Sequence, residues 1–479
     1  MSETVKHKLR IVLGSSQDTD ESILNRQSSE RQNHQNGTSN AGKSPTRDLG
    51  PPKTSPYHTQ TSHKPMDHLR NLLRYLGLAE TRENLGYTDL DEELKQQEIE
   101  RASTRLSFLL TSLVVVLVLL GATMVLSTSF VASLGKSGTG SPFAIFERQF
   151  LWIVIGLGLY FVFARVNPKR FAPYSRWMLP PVILVLLFVL VPGVGVTVGG
   201  SSRWVGFSSF RIQPSEFAKL AVVLFLSGFL TPAVPERLRS LRAVFPAIWL
   251  VGLTAMLILI EPDMGTSLVV GTILLGVLFL AGMRMRIYLP FVLVTVSGAV
   301  FAALYEPYRR DRLLSFFHPW QNRFVFSYQE VQGLAAFANG GATGVGLGAG
   351  SAKWGYLPNS QTDFIFAVIG QEAGLIGCLV VLGLLSALCV VVIKIGLRAG
   401  SRFEFLLCSG VAIWIASQSI FNVGAVLGVF PVTGVPLPLI SAGGSSLTIL
   451  LLSLGLVSGV ARRPGQMFSA RATRSYQRL

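Results

Sequence analysis

Residues 357–369 read LPNSQTDFIFAVI, a polar stretch that ends in Asp363 and passes at once into an apolar run. A long apolar run that follows a polar stretch is typical of a helix entering a membrane. Only 26 of the 479 residues are acidic, so a carboxylate at the mouth of a membrane helix needs a physical reason. The stretch therefore predicts both a fold class and a candidate site.

The composition places the chain among integral membrane proteins. Hydrophobic residues make up 49% of it, charged residues only 14%, and the mean hydropathy is +0.47. Only helices and closed barrels satisfy every backbone polar group in lipid, and apolar runs of about 15 to 25 residues favour helices. We therefore expect an all-α, polytopic fold with ten transmembrane helices. The ten runs begin near Leu106, Phe150, Trp177, Phe217, Ala243, Ser267, Ile287, Phe364, Phe403 and Ser446.

The charges predict how these helices are oriented. The first 105 residues carry fifteen basic and fifteen acidic residues, so the net charge of +16 belongs to residues 106–479. With both termini in the cytoplasm, seventeen of the 27 basic residues of that part fall on inner loops, as the positive-inside rule requires. Nine of its eleven acids then fall at or near the outer face. We expect polar chemistry on that outer side.

The composition divides the chain into three parts. Residues 1–105 form a cytoplasmic tail, which we expect to be largely disordered apart from one or two amphipathic helices near 66–101. Residues 106–463 form the membrane domain, and residues 464–479 a basic cytoplasmic tail. We expect no removable signal peptide and expect the first membrane helix to direct insertion. A long outer connection, about 306–362, joins helices 7 and 8 and is predicted to form short surface helices and turns.

Histidine and cysteine offer little chemistry in the membrane domain. Five of the six histidines lie in the first 105 residues, and only His318 lies beyond them. A His-based metal site or a Ser-His-Asp triad is thereby nearly excluded. Cys378, Cys389 and Cys408 lack the paired spacing of a disulfide or zinc framework. We expect them to be reduced and either lipid-facing or packing residues.

Two charged residues lie just inside the fourth apolar run, in the sequence RIQPSEFAK at 211–219. Glu216 and Lys219 are three residues apart and so share one helix face. They form either a self-neutralising structural pair or a functional pair that lines a cavity, as charges inside membrane segments usually do. Arg203 and Arg211, on the same outer loop, would suit a phosphate-bearing ligand.

Three further sites each allow a structural and a functional interpretation. Glu261 and Asp263 share a tight turn and could bind a divalent cation, although an N-cap role for Asp263 or Thr266 is the commoner use. Asp363 is either an N-cap or a functional acid. Glu372, nine residues further along, is expected to be an intramembrane acid whose structural role would be a hydrogen bond to a neighbouring helix.

Four motifs, in this order, resemble the SEDS family (shape, elongation, division and sporulation), the polytopic FtsW and RodA peptidoglycan polymerases. The resemblance covers residues 106–463. The motifs are QPSEFAK at 213–219, EPDMGT at 261–266, YLP at 356–358 followed by TDFIFA at 362–367, and GVPLPLISAGGSS at 434–446. Phe217, KWGYLP at 353–358 and the closing GGSS are more similar to the FtsW branch. Gln361 and Ala442 depart from the family pattern, since many members have His and Tyr there, and no role of that His transfers to this chain.

The resemblance implies the SEDS fold and a glycosyltransferase that joins lipid II units into glycan strands on the outer face and releases undecaprenyl pyrophosphate. It points to Asp363 as the base that takes the proton of the acceptor hydroxyl. The departing pyrophosphate needs cations. The implied substrate-binding residues are Lys219, Glu216, Arg211, Arg203, Gln213 and Ser215. The family's dependence on a divalent cation, Mg²⁺ or Mn²⁺, implies a metal held by Asp363 or Glu216.

The same resemblance implies partners and a location. We expect lipid II as the substrate, a class B penicillin-binding protein and division-complex proteins as partners, contact with membrane lipids, and no nucleic acid. The location would be the bacterial plasma membrane at the division septum, with the active site facing outward. Two other interpretations stay open. One is a flippase or transporter of lipid-linked precursors, although no inverted repeat is evident; the other is a scaffold for division proteins, which leaves the charged outer face unexplained.

Overall fold

The computed structural model describes residues 87–136, 143–193, 195–198, 201–207, 210–232, 240–321, 324 and 327–463. The tail predicted to be disordered, most of the amphipathic stretch near 66–101, and the basic tail at 464–479 lie outside the described residues. Two of the basic residues assigned to inner loops, Arg237 and Arg239, lie outside them as well.

Within these ranges the chain forms twelve α-helices and a three-stranded antiparallel sheet in the order β1-β2-β3. The helices are α1 (Tyr87–Lys136), α2 (Ala144–Phe163), α3 (Leu179–Val189), α4 (Pro214–Leu230), α5 (Leu241–Ile260), α6 (Met264–Leu280), α7 (Met285–Tyr305), α8 (Pro307–Phe317), α9 (Tyr328–Gly340), α10 (Ile365–Leu397), α11 (Arg402–Val426) and α12 (Gly444–Ala461). The strands are β1 (Val196–Val198), β2 (Ser201–Phe207) and β3 (Phe210–Ile212). Short 3-10 turns at Pro168–Phe171 and Ser175–Trp177 precede α3, and a π-helical turn at Ala352–Tyr356 precedes α10.

A helix occupies each of the ten predicted apolar runs. In the described part of the chain, seven are long and apolar enough to cross a membrane: the Glu100–Ser129 part of α1, then α2, α5, α7, α10, α11 and α12. The helices α3, α4 and α6 are shorter, at 11, 17 and 17 residues. The polytopic all-α class is therefore confirmed, and the number of ten crossings stays a prediction.

The first helix is much longer than its membrane part. α1 runs without a break from Tyr87 to Lys136. The described end of the stretch predicted to be amphipathic therefore continues directly into the first membrane segment. The expected boundary between residues 105 and 106 falls inside this one helix.

The core of the molecule lies between α4, α11 and α12. The span of α12 is 83% buried inside the protein, against 6% for that of α7. α12 packs against α2, α1, α4 and α10, and α11 packs against α10, α6 and α4. Small residues permit the close approach of two membrane helices, and a Cβ added to Gly455 of α12 would stand 2.6 Å from the carbonyl oxygen of Tyr160 in α2. α7 is consequently a peripheral helix.

Two connections carry the elements that surround the candidate site. The connection between α3 and α4 carries the small sheet, in which β2 pairs with β3 through Val205–Phe207 and Phe210–Ile212. The longer connection between α7 and α10 carries α8, α9 and the π-helical turn. Phe337 of α9 contacts Phe366 of α10, with ring centroids 5.8 Å apart. α9 is thereby packed on the first turns of α10.

α10 is interrupted at Gly374, whose φ of +67° and ψ of −164° are not helical. The backbone groups freed by the interruption bond to a glycine-rich loop that follows α9. The four bonds are Leu375 N to Gly341 O (3.0 Å), Ile376 N to Ala342 O (3.2 Å), Val345 N to Gln371 O (3.0 Å) and Gly346 N to Glu372 O (3.0 Å). Irregular backbone at membrane depth is tolerated only where protein or a water-filled cavity supplies the missing partners. The loop supplies them here.

Candidate active site

The backbone at Asp363 is fixed by three hydrogen bonds from later parts of the chain. One comes from α11, and two come from the Pro- and Gly-containing residues 431–443, which we call the clamp segment. The bonds are Asn422 Nδ2 to Asp363 O (2.8 Å), Ser441 Oγ to Thr362 O (2.6 Å) and Ala442 N to Gln361 O (2.9 Å). Residues 361–363 are therefore held in place by α11 and the clamp segment, which follow them in the chain.

Asp363 does not cap α10. The cap position is taken by Phe364, which makes no side-chain capping bond. A tight turn precedes the helix instead, because the amides of Thr362 and Phe364 both donate to the carbonyl oxygen of Asn359, whose φ is +55°. Asn adopts this left-handed region more readily than other non-glycine residues and so suits the turn, and Asp363 makes no capping bond to the helix. The structure therefore favours the functional interpretation of Asp363.

The surroundings of the Asp363 carboxylate raise its pKa to about 6. Burial is the largest cause, and the negative charge of Asp263 adds to it. Arg203, Arg312 and a hydrogen bond from Thr362 act in the opposite direction. A carboxylate with a pKa just below neutral is largely ionised at pH 7 and still accepts a proton readily, which is what a general base requires.

Asp263 caps α6 and joins it to the start of α4. Its Oδ1 accepts a hydrogen bond from the Thr266 amide at 3.0 Å, which confirms the expected N-cap. Its Oδ2 accepts from Gln213 Nε2 at 2.8 Å and from Ser215 Oγ at 3.4 Å. Gln213 and Ser215, which were predicted to bind substrate, are therefore partners of Asp263 in this structure. Their contact with substrate stays a prediction.

Glu261 is a second acid beside this group. It is 1% exposed, and neither carboxylate oxygen has a hydrogen-bond partner among the described residues. Burial raises its pKa to about 8, with a further contribution from Asp263 that Arg203 partly offsets. Glu261 is therefore mainly protonated at neutral pH, so it adds little negative charge beside Asp263.

The Glu216–Lys219 pair lies beneath the clamp segment. Lys219 Nζ lies 2.9 Å from Glu216 Oε1 and 3.3 Å from Gln418 Oε1 of α11, and both charged side chains are buried. Gln418 also accepts from Trp414 Nε1 at 2.7 Å and donates to the carbonyl oxygen of Pro436 at 2.8 Å. The pair thus links α4 and α11 to the segment that holds Asp363. This geometry supports the structural interpretation of the pair.

The arginines around Asp363 are only partly those that the sequence indicated. Arg203 in β2 is half-buried and lowers the pKa of Asp363. Arg211 in β3 is exposed, and its role stays a prediction. Arg312 in α8 also lowers the pKa of Asp363, and it lowers that of Glu330 in α9, whose burial raises its pKa to about 7. Sequence analysis missed Arg312, because it is one of three arginines in a short polar helix.

Glu372 makes the hydrogen bond to a neighbouring helix that was expected of it. Its two carboxylate oxygens accept from Ser127 Oγ of α1 at 3.0 and 3.2 Å. It also forms an ion pair with Lys353 at 3.0 Å, which the sequence did not indicate. Both charged side chains are buried.

The described residues include no group of three or more His, Cys, Asp or Glu side chains arranged to hold a metal ion. Glu216 is occupied by Lys219, so it is the weaker of the two predicted ligands. Mg²⁺ commonly keeps several waters and is held by one or two carboxylates together with substrate phosphates. The charge of Asp263 raises the pKa of Asp363. These two carboxylates fit a site that is shared with substrate phosphates, and they do not form a complete metal site by themselves.

Residues 107–465 match the sequence model of a family described as cell cycle protein, which groups FtsW, RodA and SpoVE. A probable peptidoglycan glycosyltransferase FtsW of Coxiella burnetii is 38% identical over 348 residues, covering 72% of this chain and 93% of that protein. Stage V sporulation protein E of Bacillus subtilis is 37% identical over 354 residues, covering 74% of this chain and 96% of that protein.

Solved structures show the same likeness in three dimensions. A chain of a peptidoglycan synthase complex that coordinates polymerization and crosslinking is 30% identical and superposes with a TM-score of 0.60, covering 74% of this chain and 96% of that one. The rod shape determining protein RodA of Thermus thermophilus is 27% identical, with a TM-score of 0.55 and coverages of 74% and 97%.

Proposed function

This chain belongs to the FtsW, RodA and SpoVE family of cell cycle proteins, and we propose that it is a peptidoglycan glycosyltransferase that polymerises lipid II. Its multi-pass membrane fold and the glycosyltransferase relatives support this function. The observation that carries the proposal is Asp363, an acid with a pKa near 6 that is held by its backbone between α11 and the clamp segment.

In the proposed reaction, the acceptor sugar hydroxyl attacks the anomeric carbon of the donor sugar. A new carbon–oxygen bond forms there as the bond from that carbon to the pyrophosphate oxygen breaks. Asp363 takes the proton of the hydroxyl, and the pyrophosphate departs with the bonding electrons. Arg203 and Arg312, which already act on the charge of Asp363, would stabilise negative charge that develops on the leaving group.

The cation is a second part of the proposal. Mg²⁺ or Mn²⁺, held by Asp363 with Asp263 and the substrate phosphates, would supply positive charge to the leaving pyrophosphate. The other predicted ligand, Glu216, is neutralised by Lys219. Asp263 also keeps its capping bond to α6, so it offers a fixed oxygen.

Partners and location are further proposals. The structural likeness to a chain of a peptidoglycan synthase complex supports a class B penicillin-binding protein as partner, together with division-complex proteins and contact with membrane lipids. The FtsW relatives support the bacterial plasma membrane, with the active site outward, and the division septum. The interruption of α10 at Gly374 would also suit a flippase or transporter, but the relatives named as glycosyltransferases favour the enzyme over both the flippase and the scaffold.

Reconstitution of the purified full chain with fluorescent lipid II tests the function. We expect the wild type to form glycan polymer in the presence of Mg²⁺ or Mn²⁺, and Asp363→Ala to form none. Asp311→Ala is the matched control, since Asp311 is another acid of the same outer connection, partly exposed, and pairs with Arg310 at 3.6 Å. Lipid translocation without polymer would favour a flippase, and polymer undiminished by Asp363→Ala would exclude the base.

A further inference from the structure

The Lys353–Glu372 ion pair encloses Asp363 within one closed stretch of chain. Lys353 lies ten residues before Asp363, and Glu372 lies nine residues after it. Lys353 Nζ and Glu372 Oε1 are 3.0 Å apart, and their side chains are 5% and 0% exposed. The contact therefore fixes the two ends of a twenty-residue loop that carries the candidate base.

Residues next to the ion pair also join the two ends of this loop. Gln371 Oε1 accepts a hydrogen bond from the Ala352 amide at 2.9 Å, and Gln371 Nε2 donates to Ser351 Oγ at 2.9 Å. Two successive residues of α10 thus hold three successive residues of the outer connection. Closing a loop with several bonds removes conformations that its interior residues would otherwise sample.

Every donor of the Lys353 ammonium group is used within this cluster. Its Nζ donates to Glu372 Oε1, to Ser127 Oγ at 3.1 Å and to the carbonyl oxygen of Gly348. An ammonium group has three donors, so Lys353 has none left for a phosphate. A role in binding the pyrophosphate is therefore not the explanation for this buried cation.

The cluster also lies at the interruption of α10. Glu372 precedes Gly374 by two residues, and its backbone oxygen accepts from Gly346 N at 3.0 Å. Ser127 brings in α1. The ion pair therefore joins α1, the glycine-rich loop and the first part of α10, which begins two residues after Asp363.

Stability alone does not account for such a pair. Replacing a buried ion pair by neutral residues of similar volume is often neutral or stabilising, whereas removing one partner is costly. A fully bonded buried network does, however, specify one geometry. We propose that the Lys353–Glu372 ion pair is a positioning device that holds the Asp363 loop in its reactive geometry; this inference rests on the proposed function.

The test compares wild type with the neutral double variant Lys353→Met/Glu372→Gln, which leaves no lone buried charge. The control is Lys169→Met/Glu404→Gln, which removes another ion pair that includes a buried glutamate, at 3.8 Å. Full-length proteins are reconstituted with fluorescent lipid II, and the polymerisation rate is measured over a range of lipid II concentrations. Thermal unfolding is followed in parallel.

We expect the double variant to unfold within a few degrees of wild type and to polymerise at least about tenfold more slowly at saturating lipid II, because small misplacements of a catalytic group are costly. The KM for lipid II should stay near that of wild type, because the variant misplaces Asp363 and does not remove a substrate contact. The control should keep the wild-type rate and KM. A double variant with the wild-type rate would overturn the inference.

Hydrogen exchange supplies a readout that does not need activity. The Thr362 and Phe364 amides, which bond to Asn359 O, should exchange at least about tenfold faster in the double variant, and at the wild-type rate in the control. Unchanged exchange at these amides would reject the positioning role. Absence of polymer from the wild type itself would reject the proposed function. The exchange rates of the Thr362 and Phe364 amides would then decide alone whether the ion pair fixes the Asp363 loop.

Discussion

The side-chain amide of Asn422 donates a hydrogen bond to the main-chain oxygen of Asp363 at 2.8 Å and another to that of Val435 at 2.7 Å. One buried amide group in α11 thereby holds two irregular segments side by side. Val435 belongs to the clamp segment, and Asp363 is the candidate base. The position of the base is consequently set by a residue that need not touch the substrate.

Replacing Asn422 by Leu keeps the volume and removes both donors. Leaving buried carbonyl oxygens without partners costs about 1 to 3 kcal/mol, and we expect the polymerisation rate to fall at least about tenfold. Ser419→Ala is the control on the same helix, because among the described residues the hydrogen bond of Ser419 Oγ is local, to Ile415 O at 2.8 Å. Thermal unfolding and lipid II polymerisation measure the two effects. Full activity in Asn422→Leu would show that this bond does not position Asp363.

Asp363→Asn should lower the polymerisation rate and raise the stability of the protein. The polymerisation rate should fall by about 10² to 10⁴, since the variant has no base. Folding raises the pKa of Asp363 from 3.8 to about 6, so the stabilising contribution of the protonated acid is complete below pH 3.8 and is lost as the pH rises to 6. Asn does not titrate, and the variant should be about 1 to 3 kcal/mol more stable than wild type above pH 6. A destabilised Asp363→Asn would contradict this.

The pH dependence of the wild-type polymerisation rate should report the ionisation of Asp363. The base works only when ionised, so the rate should rise with pH through a midpoint near 6, the raised pKa of Asp363. Rates measured with lipid II well below KM report kcat/KM and therefore the pKa of this group in the free protein. A profile that is flat between pH 5 and pH 7 would show that another group takes the proton.

Glu261→Gln should be more stable than wild type, by a difference that grows as the pH rises. Folding raises the pKa of Glu261 from 4.5 to about 8, so its stabilising contribution is complete below pH 4.5 and disappears between pH 4.5 and pH 8. The variant should match wild type near pH 4.5 and exceed it by on the order of 3 kcal/mol at pH 8. Thermal unfolding across this range measures the difference. A difference independent of pH would mean that Glu261 is not buried as an acid.

The Glu216–Lys219 pair should behave as one unit. Lys219→Met leaves a buried carboxylate unpaired, which costs about 3 to 5 kcal/mol. Glu216→Gln/Lys219→Met restores neutrality and should regain most of that stability. If the pair acts as a unit in function, the double variant should polymerise scarcely more slowly than either single variant. Additive losses of rate would indicate separate roles.

The sequence was sufficient for the membrane class and for the main charged residues. Glu216, Lys219 and Asp363 are visible because a charge within or beside a long apolar run is rare. Gln418 and Asn422 were missed, although uncharged amides within the apolar α11 carried a similar and weaker signal.

Other features could not be inferred from local pattern. Lys353 and Glu372 are nineteen residues apart, with a tight turn and the start of α10 between them, so no helical or strand spacing predicts their contact. The three-stranded sheet was also missed. Its strands are three to seven residues long, and the bracketing Gly-Gly and Ser-Ser pairs are common in loops as well.

The residues that hold Asp363 are synthesised long after it. Asn422 follows Asp363 by 59 residues, and Ser441 follows Thr362 by 79. Chains are synthesised and fold from the N-terminus, so α10 leaves the ribosome before Asn422 and the clamp segment do. In a nascent chain that lacks these residues, the hydrogen bonds that hold the backbone at Asp363 cannot form. The enzyme becomes competent only when translation has delivered α11 and the clamp segment, and biosynthesis itself delays the onset of catalysis.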